Sequence, residues 1–317
     1  MRWYAAPMEG VTDHIWREAH HRYFPGADRY YMPFFSPTAD HVLTPRVRRE
    51  LDPENNAGVP AVPQALTRSA PDFLWAAGEL AAMGYPEISL NLGCPSGTVT
   101  AKGKGAGMLA DPEALDRFLG AVFERAPLPV SVKTRLGVAD EGEFGRLLEI
   151  FNRYPIAELT VHARVLRDQY GGRARREAFA RALPGSRAPV CYNGDLFSAG
   201  DCRALEAEFP ALPAAMLGRG LIADPALLRK AQGGPGADRE TLRAYLGELG
   251  EAYARAFGGA SAAMARMKGL WSFQFRLFED DGTYEKRLRR ARTPEELASA
   301  AAAVLRDLPL RRDAARP

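Results

Sequence analysis

Cys94 lies three residues beyond Asn91 in the run Asn91-Leu92-Gly93-Cys94-Pro95-Ser96, where an apolar stretch gives way to a glycine-proline loop. A thiol in such a place can give up a proton as a general acid. Similar polar endings recur after other apolar runs. They are Pro7-Met8-Glu9, Gln64, Lys133 with Arg135, His162, Asn193-Gly194-Asp195 and Gly218-Arg219-Gly220. A lone Lys or Gln at the end of an apolar run is usually just solvated, but so many matching endings form a set. The set holds amides, cations, one thiol and one imidazole, with no cluster of carboxylates, so it suits a bound anionic cofactor better than a metal ion. Glycines after the last two runs would let backbone N–H groups approach an anion, with Arg219 to pair with it. Lys133 would supply a fixed positive charge near the reacting centre. Cys191 and Cys202 read as small buried hydrophobes.

These endings need a scaffold that brings them together. Eight short apolar runs are predicted as strands: Trp3–Ala6, Arg29–Met32, Ala61–Gln64, Glu87–Asn91, Val130–Lys133, Glu158–Val161, Val190–Tyr192 and Ala215–Leu217. Amphipathic stretches separate them, which is the pattern of repeated βα units. Eight parallel strands predict an α/β fold, a (β/α)8 TIM barrel, whose active site lies at the carboxyl ends of the strands. An open doubly wound sheet is the rival, but no GxGxxG follows the first strand. Gly233-Gly234-Pro235-Gly236 is the clearest break in the chain. The expected organisation is a catalytic barrel over residues 1–232 and a small C-terminal helical bundle over residues 236–317. Leu242, Tyr245, Leu246 and Leu249 have helical spacing, and helical patterns follow over Met264–Phe278 and Pro294–Leu308. The final residues, Arg311 to Pro317, are expected to fray.

The 317 residues, 46% hydrophobic and 26% charged, have an ordinary globular balance. The three cysteines show no CxxC spacing, so neither a zinc site nor a disulfide framework is expected and a reducing, cytoplasmic setting fits. No signal peptide and no apolar run of membrane-spanning length are apparent, so a soluble protein with no membrane association is expected, by default a monomer. From Gly236 onward there are fifteen basic against twelve acidic residues, the whole of the chain's +3 excess. Arg266, Lys268, Arg276 and the run Lys286-Arg287-Leu288-Arg289-Arg290 are candidates for a phosphate-binding face, with Trp271, Phe273 and Phe275 packing the bundle behind it.

Six segments together resemble the successive motifs of the dihydrouridine synthase family. They are Ala6-Pro7-Met8-Glu9-Gly10-Val11-Thr12-Asp13, Asn91-Leu92-Gly93-Cys94-Pro95-Ser96, Val132-Lys133-Thr134-Arg135-Leu136-Gly137, Val161-His162-Ala163-Arg164, Tyr192-Asn193-Gly194-Asp195 and Leu217-Gly218-Arg219-Gly220. The resemblance implies FMN-dependent reduction of uridine to dihydrouridine in tRNA, with NADPH as a transient reductant. It implies that Pro7, Met8, Glu9, Gln64, Lys133, His162, Asn193, Gly194, Asp195, Gly218 and Arg219 contact FMN. It further implies that Asn91, Lys133, Arg135 and His162 face the uracil, and that Cys94 protonates it. Where the family often has His-Gly-Arg-Thr, this chain has His162-Ala163-Arg164-Val165, so no substrate contacts are assigned in the loop that follows. Lys102-Gly103-Lys104-Gly105-Ala106-Gly107 reads as a lid that meets RNA phosphates, or else as a solvated turn. Three alternatives stand beside the main reading. They are a flavin barrel reducing a dihydroorotate- or enone-type small molecule, the same chemistry on ribosomal RNA, and a non-catalytic RNA-binding barrel.

Overall fold

The protein, a computed structural model, is described over residues 1–280 and 282–316. Nine parallel strands run β1 Arg2–Ala5, β2 Arg29–Tyr31, β3 Ala61–Val62, β4 Gln64–Ala65, β5 Ile88–Leu92, β6 Val130–Arg135, β7 Leu159–His162, β8 Val190–Asn193 and β9 Ala214–Leu217. Their spatial order is β3-β2-β1-β9-β8-β7-β6-β5-β4. The two ends of that order, β3 and β4, are consecutive in the chain and separated only by Pro63. Proline has no N–H to give to a ladder, so one strand is split there. Counted as one, it brings the number to eight in a nearly closed (β/α)8 barrel, its first half paired to β2 and its second half to β5.

The helices in chain order are α1 His14–Tyr23, α2 Pro45–Leu51, α3 Ala70–Ala82, α4 Gly97–Thr100, α5 Pro112–Phe123, α6 Phe144–Phe151, α7 Arg176–Ala182, α8 Ala199–Glu208, α9 Arg219–Ala223 and α10 Leu227–Ala231. Then come α11 Arg239–Phe257, α12 Ala260–Gln274, α13 Thr283–Arg290 and α14 Pro294–Asp307. Local chemistry starts many of them. Asp111 accepts from the Ala114 N–H with Pro112 at the first turn of α5, and Ser198 with Asp201 forms a reciprocal cap on α8. Helix α5 then buries Leu115, Phe118, Leu119 and Val122, the one-sided stripe that a barrel-covering helix needs. None of the described helices is long and apolar enough to cross a membrane.

Inside the barrel, Tyr4, Ala6, Tyr31, Val62, Cys191, Ala214 and Met216 form a packed cluster. At the amino ends of the strands lies a polar plug that the sequence did not announce. Glu158, 3% exposed, accepts from the hydroxyls of Tyr4 at 2.8 Å and Tyr31 at 3.0 Å. Glu87 accepts from the Ser131 hydroxyl at 3.1 Å and pairs with Arg29 at 2.7 Å. Burial raises the Glu87 carboxyl above its ordinary pKa, and Arg29 opposes that shift.

The chain divides into two compact units. The first comprises Met1–Pro7, Arg29–Asp195 and Pro210–Met216, and the second Met8–Asp28, Leu196–Phe209 and Leu217–Pro317. The break at Gly233–Gly236 therefore falls inside the second unit, because a Gly/Pro loop marks a turn of the chain and not a place where contacts thin out. That loop is tied back on itself: Arg229 Nε and Nη2 donate to the carbonyls of Pro235 and Gly236 at 2.8 and 2.9 Å. Helix α1 belongs with the C-terminal helices. Phe24 meets Tyr245 of α11 edge-on at 5.2 Å, and the Tyr253 hydroxyl donates to Asp13, the residue that caps α1.

Two expectations for the second unit change. Residues 311–316 do not fray: the Arg311 N–H donates to Leu277 at 2.8 Å, Ala315 N–H donates to Arg276 at 2.9 Å, and Ala314 is buried. Pro317 lies outside the described residues. Three of the proposed phosphate-binding cations are also engaged within the unit. Arg266 donates to the Gly10 carbonyl, Lys268 to Ala291 at 2.8 Å and Arg276 to Arg316 at 3.0 Å. Lys286, Arg287, Arg289 and Arg290 of α13 stay exposed.

Candidate functional site

The sequence predicted that β6, β7 and β8 would stop before their last polar residues. In the structure they continue to Arg135, His162 and Asn193, because backbone pairing does not depend on what the side chain is. Asn91 pairs with Lys133, Arg135 with His162, His162 with Asn193, and Asn193 with Met216 across successive strands. The candidate side chains are thus held on strands, where geometry is more tightly set than on loops.

The thiol loop is built from a relay of amides. Gln64 Nε2 donates to Ser89 at 3.1 Å, and Asn91 Nδ2 donates to Gln64 Oε1 at 2.7 Å. Asn91 Oδ1 in turn accepts the N–H groups of Gly93 at 3.0 Å and Cys94 at 2.9 Å. Asn91 was expected to meet the substrate. Its oxygen is spent on positioning Cys94, and one amide hydrogen is left for a ligand. Cys94 is half-buried, while Cys191 and Cys202 are fully buried as expected, with burial pushing the Cys202 thiol up to about 12.

The Lys102–Gly107 run is folded against this loop. Helix α4 leads into a 3-10 turn over Gly105–Ala110, and Ala106 N–H donates to the Cys94 carbonyl at 3.1 Å. Gly105 sits at φ +55°, and a Cβ there would come within 2.9 Å of the Cys94 carbonyl oxygen. It packs directly against the backbone of Cys94.

Two buried arginines hold the loop after β7. Arg135, 1% exposed, donates from Nε to Gly93 at 2.7 Å and from Nη1 to Val165 at 3.1 Å and Gln169 at 2.8 Å. It therefore ties the Cys94 loop to the 165–170 loop, where the sequence had suggested a direct contact with substrate. Arg164, also 1% exposed, donates to Gly171 at 2.9 Å, to Gly172 at 2.8 Å and to both oxygens of Asp195 at 2.9 and 2.8 Å. Asp195, expected to touch the cofactor, gives its carboxylate to Arg164 and to the Ala174 N–H at 2.8 Å.

Arg164 Nη1 also lies 3.2 Å from His162 Nε2. A guanidinium can only donate, so Nε2 must accept and the proton of the neutral ring sits on Nδ1. The sequence left Arg164 without a role because two of its partners are loop carbonyls, which carry no side-chain signal, and Asp195 lies 31 residues away. It also missed Tyr170, whose exposed ring lies 5.5 Å from the Arg135 guanidinium and 6.5 Å from the ring of His162. Gln169 before it adopts φ +47°, an uncommon conformation for a non-glycine residue and one found disproportionately at functional sites.

Lys133 Nζ donates to Asn193 Oδ1 at 2.9 Å, and Asn193 Nδ2 donates to the Met216 carbonyl at 2.9 Å. Among the described residues no carboxylate pairs with this ammonium. Burial, and then the charge of Arg135, bring its pKa down to about 8. Burial likewise brings Arg135 down to about 10, with Arg164 adding to the effect. Two uncompensated cations at the carboxyl ends of parallel strands form a place that an anionic group would stabilise. Gly194 follows directly, and a Cβ there would fall 2.1 Å from the Tyr192 hydroxyl.

Of the other expected residues, Pro7 is half-buried in the first unit, just after β1. Met8, Glu9, Gly218 and Arg219 belong to the second unit. There the Met8 carbonyl accepts from Val11 and Thr12 at 3.0 Å, and Glu9 is exposed at the tip of that turn. Gly220 abuts the Leu196 carbonyl, where a Cβ would lie 2.0 Å away, and the Arg219 guanidinium sits 5.3 Å over the ring of Phe197.

The family model described as Dihydrouridine synthase (Dus) matches residues 4–277. A relative from Synechocystis sp., "Probable tRNA-dihydrouridine synthase 1", is 34% identical over 197 residues, covering 61% of this chain and 54% of the relative, so the match spans about half of that protein. A tRNA-dihydrouridine(16) synthase of Ralstonia nicotianae is 33% identical over 239 residues, covering 72% of each chain. Another, from Neisseria meningitidis, is 27% identical over 92% of this chain and 91% of its own length. Among solved structures, the old yellow enzyme homologue from Zymomonas mobilis superposes with a TM-score of 0.56 at 13% identity, over 76% of this chain and 91% of that one. At that identity it speaks for the barrel alone.

Proposed function

The chain belongs to the dihydrouridine synthase family, and from that premise we propose that it is a cytoplasmic, monomeric enzyme that reduces uridine in tRNA to 5,6-dihydrouridine, with FMN bound and NADPH as the reductant. Bound FMN, once reduced, supplies the hydride that goes to C6 of the uracil. Cys94 gives its proton to C5, while Asn91 and Gln64 hold the Cys94 loop in place. His162, with its proton on Nδ1, offers a neutral donor. The exposed ring of Tyr170 suits stacking against a nucleobase.

The observation that carries the cofactor reading is Lys133: a half-buried ammonium, depressed to about 8, with another cation nearby and no carboxylate partner among the described residues. An anionic flavin cofactor offsets that charge. Taken by itself, the second unit offers Arg219, beside Gly218 and Gly220, as a cation suited to a phosphate group. Residues 236–317 are proposed to bind the RNA through Lys286, Arg287, Arg289 and Arg290 on α13. A base has to be drawn out of stacked RNA before it can be reduced, so a surface that grips the backbone is required.

Lys133 loses its charge as pH rises through about 8, so FMN affinity should hold at neutral pH and then fall, by up to about tenfold per pH unit. Titrating FMN into wild type and Lys133→Met by flavin fluorescence checks this. The variant should bind weakly at neutral pH and lose the pH dependence. A variant with wild-type affinity and the wild-type profile would remove Lys133, and the anion-site argument, from the proposal.

A further inference from the structure

The C-terminal segment crosses the second unit and ends against the loop that leads into α8. It is first anchored as a short strand: Phe278 and Leu310 form an antiparallel bridge, Glu279 N–H donates to Pro309 at 2.9 Å and Arg311 N–H to Leu277 at 2.8 Å. Beyond that bridge two side chains reach the start of α8. Asp313 Oδ1 accepts the Ala199 N–H at 3.3 Å and lies 2.8 Å from Lys230 Nζ, which also pairs at 2.6 Å with Asp224, a carboxylate only 1% exposed. Arg316 pairs with Asp201 Oδ1 at 2.6 Å, and its guanidinium lies 5.8 Å over the ring of Phe197.

Asp201 and Phe197 are not incidental partners. Asp201 Oδ2 accepts the N–H groups of both Phe197 and Ser198 at 3.0 Å, so the carboxylate that binds Arg316 also shapes the 196–198 loop. Phe197 carries the Arg219 guanidinium at 5.3 Å. Gly220, next to Arg219, packs so closely on Leu196 and Phe197 that no side chain fits there. Displacing this loop must therefore displace Arg219.

We propose that residues 311–316 are a clasp that positions Arg219, with Asp313 and Arg316 as positioning residues that set how tightly a ligand's phosphate is held. The proposal rests on the reading of Arg219 as the partner of the FMN phosphate. The guanidinium of Arg316 contributes an ion pair and a stack on Phe197, each modest alone. Because the clasp reaches Arg219 through Phe197 and Asp201, its effect is on the phosphate partner.

The test compares FMN with riboflavin, which has the same ring system and no phosphate. Arg316→Ala and Asp313→Asn should each weaken FMN binding by about fivefold to tenfold and leave riboflavin binding unchanged, with Arg316→Lys, which keeps the ion pair, falling between. A chain ending at Leu310 should lose more of the preference, and the point variants, whose thermal melts report folding, stand if the truncated chain does not fold. A wild-type FMN-to-riboflavin preference retained in Arg316→Ala and Asp313→Asn would overturn the clasp while leaving the cofactor reading intact. A wild-type protein binding both flavins equally would overturn the phosphate reading of Arg219, and the clasp with it.

Discussion

Cys94→Ala should bind FMN and be reduced by NADPH at wild-type rates, yet reduce uridine about 10²- to 10⁴-fold more slowly, the usual contribution of a positioned general acid. The substitution removes only the Sγ. The backbone N–H of residue 94 still donates to Asn91, the carbonyl still accepts from Ala106, and the turn over Gly105–Ala110 remains. Arg135 still holds Gly93. On the proposed mechanism, what is lost is the proton for C5, without which charge would accumulate on the ring. Cys94→Ser should be similarly slow, because an alcohol is a far weaker acid than a thiol. Mixing the reduced proteins with tRNA under anaerobic conditions and following flavin oxidation isolates this step. Oxidation of Cys94→Ala at the wild-type rate, with dihydrouridine formed, would assign the proton to another group.

Arg164→Met should destabilise the fold by about 3–5 kcal/mol, the range expected when one member of a buried ion pair is removed. The guanidinium is 2% exposed and the Asp195 carboxylate 17%, so the variant leaves a largely buried carboxylate without its arginine, although the Ala174 N–H still donates to it. The carbonyls of Gly171 and Gly172 lose their donor as well. Arg164→Met with Asp195→Asn removes both charges, and its loss should be clearly smaller than the sum of the two single losses, since residues in contact do not act independently. Urea melts of the four proteins give the coupling. Strict additivity would show that the two charges do not stabilise each other. Because Arg164 also fixes the acceptor nitrogen of His162, ¹⁵N spectra of that ring should show a shift in tautomer in the variant while the other histidines stay unchanged.

The barrel was legible because its strands are short apolar runs with a polar residue at the carboxyl end, and eight of them recur at the spacing of βα units. The positions of Gln64, Asn91, Cys94, Lys133, His162 and Asn193 followed from that alone. Their partners did not. Arg135 spends its donors on backbone carbonyls of loops and Arg164 spends two of its own there, and a carbonyl looks the same in every residue, so no sequence pattern marks it. Asp195 sits in a strand-end motif that suggests a ligand, but the loop after β7 carries Arg164 to it first. The basic residues of α12 show how much a charge count leaves open. Arg266 and Lys268 read as an RNA face from charge alone, whereas their heads bond to Gly10 and Ala291 within the second unit. The grouping of α1 with α11 also escaped, since aromatic contacts such as Phe24 with Tyr245 join residues far apart in sequence.

The central claim is that uridine in RNA takes up the hydride and the proton. The direct measurement is mass spectrometry of nucleosides from unmodified tRNA incubated with the purified protein, FMN and NADPH. The account predicts a uridine that has gained a pair of hydrogens, at a defined position, with wild type and not with Cys94→Ala on the same time scale. RNA recovered unchanged, while the same flavin-loaded protein reduces a dihydroorotate- or enone-type small molecule, would contradict it.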